Sequence, residues 1–216
     1  MDSGKYHPPI GKNDITVFHV QEDMFKRDVP PEVASAGVSV WYSSLDDQNK
    51  VRLGRYLKGC DTSSKLSFFS SVAELSLKDE NFKFAATVGD THGLKMRPYE
   101  EFVFNELMIN AYVGAERYDD AKRLCNANLE MFPKIESEYR KENNGIPQKM
   151  NCRNRLIDVL VGVEVNYDQA FIELERFFKM GLIDKEDLDF RVQSLKVHRL
   201  QRTFDGVYTF RKKESQ

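Results

Sequence analysis

The chain has 216 residues, of which 41% are hydrophobic and 31% charged, with 15 Phe and a formal charge of −2. That balance excludes an intrinsically disordered chain, and it leaves no global field to steer nucleic acid or an anionic membrane. The length suits one domain or two small ones, no run of about 18 apolar residues marks a membrane span, and the first residues lack the basic-then-apolar order of a secretory signal.

Residues 1–30 read as an irregular arm, punctuated by Pro8-Pro9, Gly11 and Asn13, with DITVFHV (14–20) as a short strand or clamp. Pro30-Pro31 suits an extended residue followed by a first helical turn. A helical domain then runs over 31–205. Its first helix, 31–43, places Val33, Ala36 or Gly37, and Val40 with Trp41 on one face. Ser44 caps a second helix (45–58) that stops near Gly59, and a third carries Leu66, Phe69, Val72, Ala73 and Leu77. ENFKFAATV fits both helical and strand periodicity.

Pro98, followed by Glu100 and Glu101, opens a helix with the stripe Phe104, Leu107, Met108, Ala111 and Tyr112, ending at Gly114. The next runs over 117–131, with Pro133 just beyond its end, and 134–149 reads as a long polar loop. Leu156, Leu160 and Val163 resume the helical pattern, and Tyr167, Ala170, Phe171, Leu174, Phe177 and Phe178 make its cleanest amphipathic stretch, closed by Gly181. Asp184 caps a last helix to about 201, with Ile183 and Leu188 placed for a hydrophobic staple. GVYTF (206–210) is β-like, and 206–216 forms a C-terminal tail.

Three cysteines, Cys60, Cys125 and Cys152, sit at wide spacings. They do not make a disulfide framework, and they suit a reducing, cytoplasmic location. Gly89 to Gly93 spell GDTHG, which resembles the metal-binding GD-x-HG box of metallophosphoesterases. A binuclear site needs further Asp, Asn and His ligands downstream. Here the second GD box and the N-H-[DE] box are missing, and the only later histidine is His198. GDTHG therefore reads as a turn, with Gly89 left-handed at a helix end, Asp90 or Thr91 capping locally, and His92 in the loop. His7 and His19 lie far from any Cys pair, and no metal or cofactor is expected.

An internal echo runs through the helices. RYDDAKRLCNANLEMFP (117–133) and NYDQAFIELERFFKMGL (166–182) share an aromatic with Ala three residues later, and Phe82 with Ala85 repeats the pair. In NELMINAYVGAERYDDAKRLCNANLEMFP, Tyr112 lies nine residues before Ala121, Tyr118 opens the second helix, and Pro133 closes the unit twelve after Ala121. This unit resembles the tetratricopeptide repeat, although Asn105 stands at the tryptophan position and Met108-Ile109 at the leucine–glycine pair. The resemblance implies an all-α fold of antiparallel helix pairs, stacked as a short array because each pair buries its neighbour's face.

It also implies a non-catalytic adaptor whose groove takes a peptide or acidic tail of a partner protein. Lys149, Arg153 and Arg155 cluster at a helix start, where free backbone N–H groups favour anions. Asn105 and Asn110 on the preceding first-type helix are expected to face the same groove. The alternative is a nucleic-acid- or ribosome-associated factor that uses the basic, aromatic segment 191–213. There Arg199, Arg202, Tyr208, Phe210, Arg211 and Lys212 combine charge with stacking faces suited to RNA.

Overall fold

The structure, a computed structural model, describes residues 29–91 and 93–214, with side chains as far as Phe204. The readings of an N-terminal arm, of a strand at 14–20 and of His92 in a loop lie outside the described residues. All regular structure among the described residues is helical, so the fold is all-α. The chain divides into two compact units, Met1–Phe68 and Phe69–Gln216.

The first unit contains α1 (Pro31–Ser35), α2 (Ser39–Ser44), α3 (Asp47–Gly54), a 3-10 turn (Leu57–Gly59) and the first turn of α4 (Lys65–Lys78). The single helix expected over 31–43 is broken at Gly37, whose φ of 69° ends α1 while Val38 N–H bonds back to the Val33 carbonyl at 3.1 Å. The break rotates α2, and Val40 is 88% exposed rather than on the buried face. Asp46, not Ser44, caps α3, its carboxylate accepting the Asn49 N–H at 2.7 Å. Val33, Val38, Leu53 and Phe68 are buried, and Trp41 meets Phe68 edge-on at 6.2 Å.

The second unit carries the rest of α4, then α5 (Phe82–Gly89), α6 (Pro98–Gly114), α7 (Tyr118–Asn143), α8 (Asn151–Asp158) running into a π turn (Val159–Val163), α9 (Tyr167–Lys179) and α10 (Lys185–Glu214). α6 packs against α5, α7 and α8. This central position explains why its apolar residues do not form one stripe: Phe102, Phe104, Met108, Ile109, Ala111 and Tyr112 are buried around the helix. Glycine permits the closest approach to α5. A Cβ on Gly114 would lie 2.3 Å from the Phe82 ring, and one on Gly89 would lie 2.6 Å from Met108 Sδ.

Three turns share one backbone geometry. Glu80, Glu116 and Val165 take φ of 55°, 62° and 58°. The following residue, Asn81, Arg117 or Asn166, has φ between −84° and −96° and ψ between 58° and 73°. Phe82, Tyr118 or Tyr167 then opens a helix in which Ala85, Ala121 or Ala170 is 0% exposed. The first two turns close with a bond five residues back, Asn81 N–H to Ser76 and Arg117 N–H to Tyr112. The third reaches six back, from Asn166 to Leu160 at 2.7 Å, because the π turn absorbs one extra residue.

α7 runs straight through Pro133, contrary to the expected helix end there, and the polar loop shrinks to 144–150. Proline removes one ladder bond, but Ile135 and Tyr139 beyond it are buried. Tyr139 meets Phe102 edge-on at 5.0 Å and Phe132 at 5.8 Å. Packing on that scale outweighs a lost hydrogen bond. α7 ends instead at Asn144, left-handed at φ 53°, with Gly145 N–H bonded to Arg140 O. ENFKFAATV resolves as helix. GVYTF is helical too, for α10 continues past 201 and across 206–210 to Glu214.

Candidate functional site

The residues expected to line a groove divide between core and surface. Asn105 is 8% exposed, and its side-chain NH2 donates to Asn128 Oδ1 at 3.0 Å. Asn128, 0% exposed, donates in turn to the Phe102 carbonyl at 3.0 Å and to Glu106 Oε1 at 3.1 Å. Asn105 therefore faces the α6–α7 interface instead of a groove. Its polarity is satisfied by a second buried amide, as burial of such a group requires.

The anion site expected at the α8 start is filled from within the chain. Glu106 Oε2 accepts the Asn151 N–H at 2.5 Å, and Oε1 accepts that of Cys152 at 2.9 Å. The Glu106 backbone carbonyl also takes the Asn151 side-chain amide at 2.9 Å. A carboxylate from α6 thus occupies the dipole end that was expected to attract an acidic partner.

Arg153 is likewise internal, at 3% exposed. Its guanidinium donates to the carbonyls of Leu182 at 2.6 Å, Gln148 at 2.5 Å and Pro147 at 3.4 Å, and to Asn154 Oδ1 at 3.1 Å. It ties the 144–150 loop to the turn after α9, on the floor of a cavity of about 460 Å3 that Arg140 and Asp187 also line. Burial holds its pKa below the ordinary arginine value. The patch Arg-x-Arg looks solvated in sequence, and only the returning turn at 181–183 buries its first member.

What remains on the surface is a polar seam between α6 and α8. Arg155 Nε donates to Asn110 Oδ1 at 3.0 Å, its Nη1 pairs with Asp158 at 3.0 Å, and both Arg155 and Asn110 are half-buried. Lys149 is exposed at the α8 entrance. Of the nucleic-acid candidates, Arg199 is committed to Asp168 at 2.9 Å and stacks over the Tyr167 ring at 5.9 Å, while Arg202 is exposed. Tyr208, Phe210, Arg211 and Lys212 lie on the α10 backbone, and their side chains are outside the described residues.

Asp90 of GDTHG does more than cap locally. It accepts the Tyr112 hydroxyl at 3.1 Å and Arg117 Nη1 at 2.7 Å, and Arg117 stacks over the Tyr112 ring at 4.6 Å. Burial, then the Asp90 charge, pushes the Tyr112 pKa up, and the Asp90 hydrogen bond raises that of Arg117. Gly89 ends α5 without a left-handed φ; among these residues Gly93 has one, at 82°. The motif therefore anchors the end of α5 to the α6–α7 turn.

No family model matches the chain, and no curated protein or solved structure matches it significantly. Among the described residues no helix is long and apolar enough to cross a membrane.

Four exposed large apolar residues of the second unit lie on α10, namely Phe190, Val197, Leu200 and Phe204, and Ile172 on α9 is as exposed as they are. Sequence reading grouped this helix by its charge and missed the stripe. The available signal was the seven-residue spacing of 190, 197 and 204.

Proposed function

We propose that the chain is a non-catalytic, cytoplasmic adaptor of tetratricopeptide-like type that binds a partner protein on its helical array. The observation that carries this reading is the threefold turn at Glu80, Glu116 and Val165, each leading into a helix with an aromatic at its first position and a buried alanine three residues on. A recurrent turn of that kind repeats one helix-pair unit. Stacked units offer long surfaces suited to peptide capture rather than a closed catalytic pocket. The binding face assigned to the array is the α6–α8 seam, with Asn110, Arg155, Asp158 and Lys149 in place of the buried Asn105 and Arg153.

Cross-linking of the full-length chain in its native extract tests the reading. The expected result is a discrete protein partner cross-linked at α6 or α8 and lost with Arg155→Glu. Recovery of RNA alone, with retention abolished by moderate salt, would replace it with the nucleic-acid reading.

A further inference from the structure

The π turn that ends α8 is one residue longer than its counterparts, and the surplus residue can be located. Glu164 N–H bonds to the Val159 carbonyl at 3.0 Å, five residues back, and Asn166 N–H bonds to Leu160 at 2.7 Å, six back. Removing one of residues 161–163 would turn the first into the four-back bond of an α-helix. The second would become the five-back closure that Asn81 and Arg117 already make. The same donors would meet the same acceptors, so the helical pair does not need the extra residue to close.

Of the three positions, Val161 is buried and Val163 is 46% exposed. Gly162 is exposed, and a Cβ built on it would meet no atom within 4 Å. Gly162 is therefore the residue whose removal costs no packing. A glycine inside a helix carries a cost in chain entropy. Just beyond it, Val165 holds φ at 58°, which a β-branched residue rarely adopts. The segment is nevertheless fixed: Val159, Leu160 and Val161 are buried, and Lys122 of α7 pairs with Glu164 at its end. Backbone costs held in place without serving the core gather where a protein meets its ligand.

Register sets the turn against the seam. Glu106 meets Asn151 and Asn110 meets Arg155, each forty-five residues apart, so Gly114 at the end of α6 stands level with Val159. Gly162 lies three residues further, past the end of α6. It follows Asp158 by four residues and Arg155 by seven, which puts all three on one side of the helix. The α6–α8 seam thus runs out onto a widened turn without a side chain.

We infer that Gly162 is a contact point of the seam, and that its π turn is kept because the main chain of an extended peptide crosses there after meeting Asn110, Arg155 and Asp158. A bare glycine admits another backbone at close range. An extended segment can present its main chain in this way, whereas a helix sheathes its own in side chains. The assignment rests on the adaptor reading of the seam and deepens it.

The test uses the full-length chain, its Gly162 deletion and Gly162→Leu. Two quantities are read: the melting temperature, and the yield of the Arg155-dependent cross-linked product in native extract. Both variants are expected to melt at or above the parent, because neither removes a buried contact. Both are expected to lower the cross-linked yield at least about tenfold, since the deletion narrows the turn and the leucine fills the approach. A deletion variant that melts below the parent would show that the turn serves the fold. An undiminished yield from either variant would show that the peptide does not cross Gly162, and the adaptor reading would stand without it. Absence of an Arg155-dependent product from the parent would overturn the adaptor reading and this contact together.

Discussion

Glu106 Oε2 lies 2.5 Å from the backbone nitrogen of Asn151, so the first turn of α8 is capped by a carboxylate from another helix, forty-five residues earlier. The partner oxygen serves Cys152 and the buried Asn128, which makes Glu106 the joint of α6, α7 and α8. Charge-assisted bonds of this kind contribute about 1.5–3 kcal/mol net. Glu106→Gln keeps one acceptor and should cost about 1–2 kcal/mol. Glu106→Ala removes the acceptor of three N–H donors, on Asn151, Cys152 and the Asn128 side chain, and should cost about 3 kcal/mol or more. Urea unfolding reads both as a lower midpoint with unchanged slope, and an alanine variant as stable as the parent would show that water replaces the cap.

The α5–α6 contact makes a paired prediction. Alanine at Gly114 drives a methyl into the Phe82 ring, a rigid neighbour at 2.3 Å, whereas alanine at Gly89 meets the thioether end of Met108 at 2.6 Å. A ring cannot yield without moving its helix, but a methionine changes rotamer. Gly114→Ala should cost about 1–3 kcal/mol. Gly89→Ala should cost less than Gly114→Ala, because Met108 gives way and alanine returns up to about 1 kcal/mol of helix propensity, while its methyl also meets the Tyr112 hydroxyl at 3.0 Å. Melting temperatures of the two variants decide it, and equal losses would refute the distinction.

Arg153 and Arg155 stand two residues apart, and their sequence roles looked equal. Arg153→Met strands the Leu182 and Gln148 carbonyls in a nearly dry site and should cost about 2–4 kcal/mol. Arg155→Ala removes a half-exposed ion pair and should cost under about 1 kcal/mol. Amide exchange adds a local signature: Arg153→Met should speed exchange at 144–150 and 181–183, and Arg155→Ala should not.

The same pair shows what was legible in the sequence. Signals confined to one turn were readable: Pro98 opening α6, Gly114 closing it, Gly181 left-handed after α9, and Asp184 accepting the Asp187 N–H at 2.8 Å. The aromatic–alanine echo also pointed to the three equivalent turns. Signals set by distant packing were not readable. Pro133 reads as a stop unless Tyr139 is known to sit against Phe102, and Arg153 reads as solvated unless the 181–183 turn is folded over it. A basic helix start reads as an anion site until Glu106 fills it, and Asn105 reads as a groove residue until Asn128 faces it. In each case the missing fact is a tertiary partner more than twenty residues away.

The cysteines give a prediction in alkali. Burial, reinforced by the Glu106 charge, pushes the thiol pKa values of Cys125 and Cys152 up, and burial does the same for the Tyr139 and Tyr112 phenols. A group whose pKa is higher in the folded state keeps its proton there while the unfolded chain releases it. Its contribution is therefore complete below the unfolded value and lost as pH rises above it. With unfolded values of about 8.5 for Cys and about 10 for Tyr, stability should hold from neutrality to about pH 8, then fall in two stages as the thiols and then the phenols ionise in the unfolded chain. Cys125→Ser or Cys152→Ala should flatten the first stage and leave the second in place. Labelling with a thiol reagent at pH 8 supplies the direct check. Half-buried Cys60 should react in the native protein, while Cys125 and Cys152 should react only when denaturant opens the core. Native labelling of Cys152 at the Cys60 rate would mean that α8 detaches from Glu106 readily, and it would count equally against the cap argued above.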